Sequence, residues 1–109
     1  MIRRLLFYRA LNGHSYLREW LDTLDKEVRS RIQSRLDRVV LGNFGDSKPV
    51  GEGVQELRLH FGRGWRVFYG IDGSEIVLLL TGSDKSSQDK AIELAKTLWK
   101  EYKLHKHAN

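Results

Sequence analysis

The spacing of apolar residues changes period once along the chain. Leu17, Trp20, Leu21 and Leu24 fall at i, i+3, i+4 and i+7, the stripe of an amphipathic helix. A second helix follows directly, with Asp25 as its N-cap. Val28, Ile32, Leu36, Val39 and Val40 form its apolar side, and Gly42 is placed to end it in the left-handed conformation. From Gly42 to Gly53 the chain reads as a long loop that carries the single proline, Pro49. Beyond the loop the period drops to two, which predicts strands at Gln55 to Phe61, Trp65 to Ile71 and Glu75 to Thr81. Hairpin turns are expected at Gly62-Arg63-Gly64 and Asp72-Gly73. Ser86 with Asp89 three residues later makes a capping box with Asp in the acidic place. Ala91, Ile92, Ala95, Leu98, Trp99 and Tyr102 then form the stripe of a last helix, and the tail from Lys103 to Asn109 is expected to fray. Met1 to Arg9 places charges before a short apolar stretch; it is too short for a signal peptide and reads as a strand.

The resulting order, β-α-α-β-β-β-α, predicts an α+β fold: an antiparallel sheet with two N-terminal helices and a C-terminal helix, in a single domain over residues 1–109. Helices on one face would leave the other face of the sheet open to water. With Phe61 and Trp65 flanking the first turn, Leu59 lies opposite Val67, Leu57 opposite Tyr69, His60 opposite Arg66 and Arg58 opposite Phe68. A two-residue turn at Asp72-Gly73 sets Tyr69 opposite Ile76 and Val67 opposite Leu78. Parity then assigns Glu56, Arg58, His60, Arg66 and Phe68 to the open face. Val77, Leu79 and Thr81 join them there as exposed neighbours, and Ser83 and Lys85 lie just beyond the strand end.

Composition narrows the chemistry. The 109-residue chain has no cysteine, which excludes disulfides, thiolate metal sites and cysteine nucleophiles and suits a reducing compartment. Its longest apolar run, Ile76-Val77-Leu78-Leu79-Leu80, is far short of the roughly 20 residues that span a bilayer. Nineteen Lys and Arg against 14 Asp and Glu give a net charge of +5, a balance that favours phosphate polyanions as partners. On the second helix Arg29, Arg31, Arg35 and Arg38 stand among acids, which fits either a solvated face or a nucleic-acid face.

Two arginines and a histidine converging beside Phe68 need a physical reason. A phosphate site supplies one, because guanidinium forks match phosphate oxygens. The alternative is that Arg58 pairs with Glu56 or another acid and merely covers the sheet with its stem. His60 has the intrinsic pKa range for proton transfer at neutral pH, or else is a hydrogen-bonded bystander. The segment from Leu80 to Ser86 leads into a helix N-terminus, where backbone N–H groups favour an anion and Lys85 can reach it. His105 and His107 lack a nearby carboxylate in sequence and make a poor metal set.

At this point the chain resembles the RelE/HigB-like toxins of type II toxin-antitoxin modules, within the RelE/ParE superfamily and its phage-derived addiction-module killers. The likeness is carried by Trp20-Leu21, Gly42-Asn43-Phe44-Gly45-Asp46, Gly53-Val54-Gln55-Glu56-Leu57-Arg58, Gly62-Arg63-Gly64-Trp65-Arg66-Val67 and the run from Leu78 to Gln88. It implies a cytoplasmic mRNA endoribonuclease that acts on messages at the ribosome, without metal or cofactor. It also implies neutralisation by a cognate antitoxin encoded nearby, commonly a helix-turn-helix DNA-binding protein, and no membrane partner. In such enzymes the RNA 2′-hydroxyl attacks its own 3′ phosphate. Carried over by motif, Arg66 matches the phosphate-stabilising arginine. Arg58 and Lys85 follow as phosphate or transition-state contacts, and Glu56 and His60 as candidate acid or base. Trp65 stands where Tyr is common and Ser83 where Gly is frequent. The same fold in the ParE branch poisons DNA gyrase, and an inactive antitoxin-binding relative is a third reading.

Overall fold

The computed structural model describes residues 2–106. Its elements are β1 (Arg4–Phe7), α1 (Tyr16–Asp22), α2 (Lys26–Val40), β2 (Ser47–Gly51), β3 (Val54–Arg58), β4 (Arg66–Asp72), β5 (Ile76–Ser83), a 3-10 turn (Lys85–Ser87) and α3 (Gln88–His105). The α+β class agrees with the sequence pattern. The strands form one sheet in the order β1-β5-β4-β3-β2, antiparallel from β2 to β5, with β1 parallel to β5 at the edge.

The sheet is covered on both faces, and this corrects the expectation of a wet face. Leu17 and Leu21 of α1 and Ile32, Leu36 and Val39 of α2 bury Leu57, Val67, Tyr69, Val77 and Leu79. Ala91, Ala95, Leu98 and Trp99 of α3 bury Val54, Phe68, Leu78 and Leu80 on the other side. The first two helices fill one face, so the apolar stripe of α3 finds its partner only on the opposite one. Phe68, Val77 and Leu79, expected to be exposed, are therefore among the most buried side chains.

Register differs in two ways. Leu57, not Leu59, lies opposite Val67, and Arg58, not His60, faces Arg66. The shift is two residues, so faces are preserved; the connection is longer than a tight turn, with Gly62 and Gly64 at positive φ and Leu59 N–H bonded to Trp65 O at 2.9 Å. The next hairpin shifts by an odd number. Asp72 pairs with Ile76 and Tyr69 with Leu79, turning Val77 and Leu79 toward α1 and α2. A bulge between Phe68 and Tyr69 then sets Arg66 opposite Ser83. A strand buried on both faces reads as a continuous apolar run, so alternation along residues 76–80 held no face information.

The predicted loop from Gly42 to Gly53 contains β2. Its Pro49 sits on an edge strand, where a missing N–H breaks no central ladder. Glu52 and Gly53, both at positive φ, make a two-residue turn into β3. Gly42 does end α2, at φ 89°. Asp25 occupies the N-cap of α2 without a side-chain bond; Ser87 rather than Ser86 is the N-cap of α3, also without one, and Asp84 caps the 3-10 turn before it. Helix α3 continues through Lys103, Leu104 and His105, where fraying was expected, and Lys106 N–H closes it on Tyr102 O at 2.9 Å; residues 107–109 of that tail, and Met1, lie outside the described residues. Trp99 closes α3 against β4 at Gly70, where an added Cβ would meet the indole ring at 2.4–2.7 Å.

Candidate functional site

At the end of the sheet where β3 finishes and β4 begins, Arg58 and Arg66 stand directly opposite each other. Like charges in that relation repel unless an acid lies between them. Glu56, two residues back on the same face of β3, is that acid. It has no exposed surface, its Oε1 accepts from Arg58 Nε at 2.7 Å, and its Oε2 faces Arg66 Nε at 3.4 Å. Gln88, the first residue of α3, donates its Nε2 to the same Oε2 at 2.6 Å. Arg66 also donates from Nη1 to Gly64 O at 2.6 Å. Both carboxylate oxygens are thus occupied, and the two guanidiniums are fixed from beneath. Their exposures differ, 11% for the Arg66 side chain against 29% for Arg58, so Arg66 is the more desolvated of the two.

Lys85 enters from the other side. Asp84 Oδ1 accepts from Ser86 N at 2.9 Å, Ser86 Oγ at 2.7 Å and Ser87 N at 3.2 Å, which shapes the 3-10 turn that carries Lys85. The Ser86 hydroxyl, ahead of the backbone donors, holds the Asp84 carboxyl below the usual carboxylate range. The N–H groups at this helix start are taken by Asp84, so an anion here meets the Lys85 side chain rather than those amides. Lys85 N–H bonds to Arg63 O at 3.1 Å, tying the turn to the β3–β4 connection. Gly64, at φ 70°, sits where a Cβ would meet Arg66 Nη1 at 3.1 Å and Lys85 Cβ at 3.3 Å. No acid among the described residues pairs with Lys85.

Arg58, Arg66 and Lys85 line a single open cleft of about 610 Å³, together with His60, Phe61 and Trp65. His60 stands on its rim, its side chain 72% exposed, with Nε2 hydrogen-bonded to Asp46. That bond holds the Asp46 carboxyl below its ordinary range. Glu56 lies under the cleft floor rather than among its lining residues. Neither Gln88 nor Asp46 carries a local sequence signal for these roles, although both stand in the motifs that carry the resemblance. Their partners are 32 and 14 residues away, a pairing that only the folded chain reveals. Among the described residues no three His, Asp or Glu side chains converge to hold a metal ion, and no helix is long and apolar enough to cross a membrane.

Fold and cleft together define a small basic α+β protein with a cationic basin at one end of a doubly covered sheet. Residues 19–100 match the phage-derived protein Gp49-like family (DUF891), and the chain belongs to it, a toxin-like family of toxin-antitoxin modules. An uncharacterized protein of Haemophilus influenzae is 43% identical over 86 residues, covering 78% of this chain and 87% of that protein.

Proposed function

We propose that the protein is the toxin of a toxin-antitoxin module and cleaves messenger RNA as a RelE/HigB-like endoribonuclease in the cytoplasm. The observation that carries this reading is the convergence of Arg58, Arg66 and Lys85 on one cleft, with the two arginines pinned by a buried carboxylate. In-line attack of an RNA 2′-hydroxyl on the adjacent phosphorus forms a 2′,3′-cyclic phosphate and expels the 5′-oxygen. Negative charge grows on the non-bridging oxygens as this happens, and prepositioned cations in a partly dry site stabilise it without reorganising. Arg66 and Arg58 face that charge, and Lys85 reaches it from the opposite wall.

The proton leaving the 2′-hydroxyl needs an acceptor and the departing 5′-oxygen needs a donor. His60 on the cleft rim is the candidate for one of these roles, with Asp46 orienting its ring. Glu56, buried with both oxygens engaged, serves as the positioning residue for the arginines. The expected partners are mRNA, at the ribosome, and a cognate helix-turn-helix antitoxin encoded nearby; no metal or cofactor enters the chemistry.

Induced expression arrests growth and fragments transcripts in this reading, and Arg66→Ala abolishes both while the purified variant keeps its circular-dichroism spectrum. Full toxicity of a folded Arg66→Ala variant would reject the site. Arrested cells with intact transcripts and damaged DNA would reject RNA cleavage in favour of a gyrase poison.

A further inference from the structure

We propose that the groove beside the catalytic cleft, floored by α2, is a second phosphate-binding subsite that holds the single-stranded RNA flanking the scissile linkage. The proposal rests on the RNA-cleavage reading and extends it to how the substrate strand runs. The groove has a volume of about 360 Å³ and is lined by Arg31, Arg35 and Arg38 of α2 together with Arg58, His60 and Phe61. Arg58, His60 and Phe61 also line the catalytic cleft, so the two are continuous. A strand with one phosphate at Arg66 meets the groove as soon as it leaves the cleft past Arg58.

The three α2 arginines are spaced i, i+4 and i+7, which places them on one side of the helix. Arg35 serves as the anchor. It donates from Nη1 to Phe44 O at 2.7 Å and from Nη2 to Asp46 O and Arg58 O, both at 3.4 Å, joining α2 to the backbone of the catalytic strand. Gly45 leaves room for this, since a Cβ there would meet Arg35 Nη2 at 2.5 Å. Arg31 and Arg38 are exposed and have no ion pair among the described residues. The guanidinium of Arg31 rests 3.8 Å from the centroid of the Phe61 ring, which holds its fork at the junction of the two cavities.

The three α2 arginines therefore line a groove whose one lining carboxylate, Asp46, is occupied by His60. Burial, and after it the nearby Arg38 charge, pushes the Arg35 pKa down, while the Asp46 carboxylate acts the other way. Exposed guanidiniums without an ion pair, as at Arg31 and Arg38, attract a polyanion, and bidentate forks suit phosphate oxygens. An acidic protein segment would also be attracted, but only a nucleic-acid strand connects this groove to the scissile position through one repeating backbone.

The test measures binding of single-stranded 2′-O-methyl RNA of about 12 nucleotides, which lacks the attacking hydroxyl, as a function of KCl concentration. Each phosphate contact contributes about −0.7 to the slope of log affinity against log salt for a single strand. Arg31→Gln with Arg38→Gln is expected to make the slope shallower by about 1.4 and to weaken binding about tenfold. Arg31→Lys with Arg38→Lys retains most of the slope. A 2′-O-methyl trinucleotide, which occupies the catalytic cleft alone, binds both Gln and parent proteins equally. An unchanged slope in the Gln variant overturns the groove, as does loss of antitoxin binding with RNA binding intact. RNA cleavage by the parent protein is scored separately, so the groove can fail while the endoribonuclease reading stands. If the parent cleaves no RNA, with or without ribosomes, that reading falls and takes the groove with it.

Discussion

A carboxylate with no exposed surface, set beneath two guanidiniums, stabilises the molecule only while all three partners are present. Removing Glu56 leaves Arg66, with just 11% of its side chain exposed, facing no counter-charge and directly opposite Arg58. Breaking a buried pair in this way costs about 3 kcal/mol, most of it from the stranded charge. Glu56→Ala is therefore expected to lower the unfolding free energy measured by urea titration by that amount, and Glu56→Ala with Arg66→Ala to recover a substantial part. Additive losses in this double-mutant cycle would show that the two residues are not coupled. The pairing of Arg58 with Glu56 was legible, because i and i+2 on a strand share a face. Arg66 and Gln88 were not, since their approach to Glu56 depends on strand register and on which face α3 covers.

Among the elements, the 3-10 turn before α3 has the clearest energetic signature. Asp84→Ala removes the acceptor for Ser86 and Ser87 N–H and is expected to cost about 1 kcal/mol. The Asp84 pKa is depressed in the folded state, so its contribution is complete above the unfolded value of about 3.9 and is lost as pH falls through the lower folded value. The difference in melting temperature between parent and Asp84→Ala should accordingly hold steady from about pH 7 to 5 and shrink below about pH 4. A gap that widens in acid would contradict this sign. Helix spacing located α1, α2 and α3 well, because each shows one apolar stripe to one sheet face. Strand β2 escaped the same reading: Ser47, Lys48 and Pro49 at a sheet edge have no alternating apolar pattern to detect.

Across the whole molecule, α3 links the far core to the cleft. Its C-terminal half packs through Leu98 and Trp99, and its first residue, Gln88, holds Glu56. Gly70→Ala drives a methyl group into the Trp99 ring, and overpacking of this kind costs about 2 kcal/mol. Thermal melting should register that loss although Gly70 lies outside the cleft, and RNA cleavage should fall with it as Gln88 is displaced. A lower melting temperature with unchanged cleavage would show that docking of α3 and the site are independent. The amino-acid sequence by itself determined the α+β class, the three helices with their buried stripes, and the candidate cations Arg58, Arg66 and Lys85, because local periodicity and residue chemistry are written in neighbouring positions. Only the tertiary structure decided that the sheet is covered twice, that Val77 and Leu79 face α1 and α2, and that Glu56 binds both arginines under the hand of Gln88. Those outcomes turn on register and layer packing, where one residue of slip reverses a face and partners lie tens of residues apart.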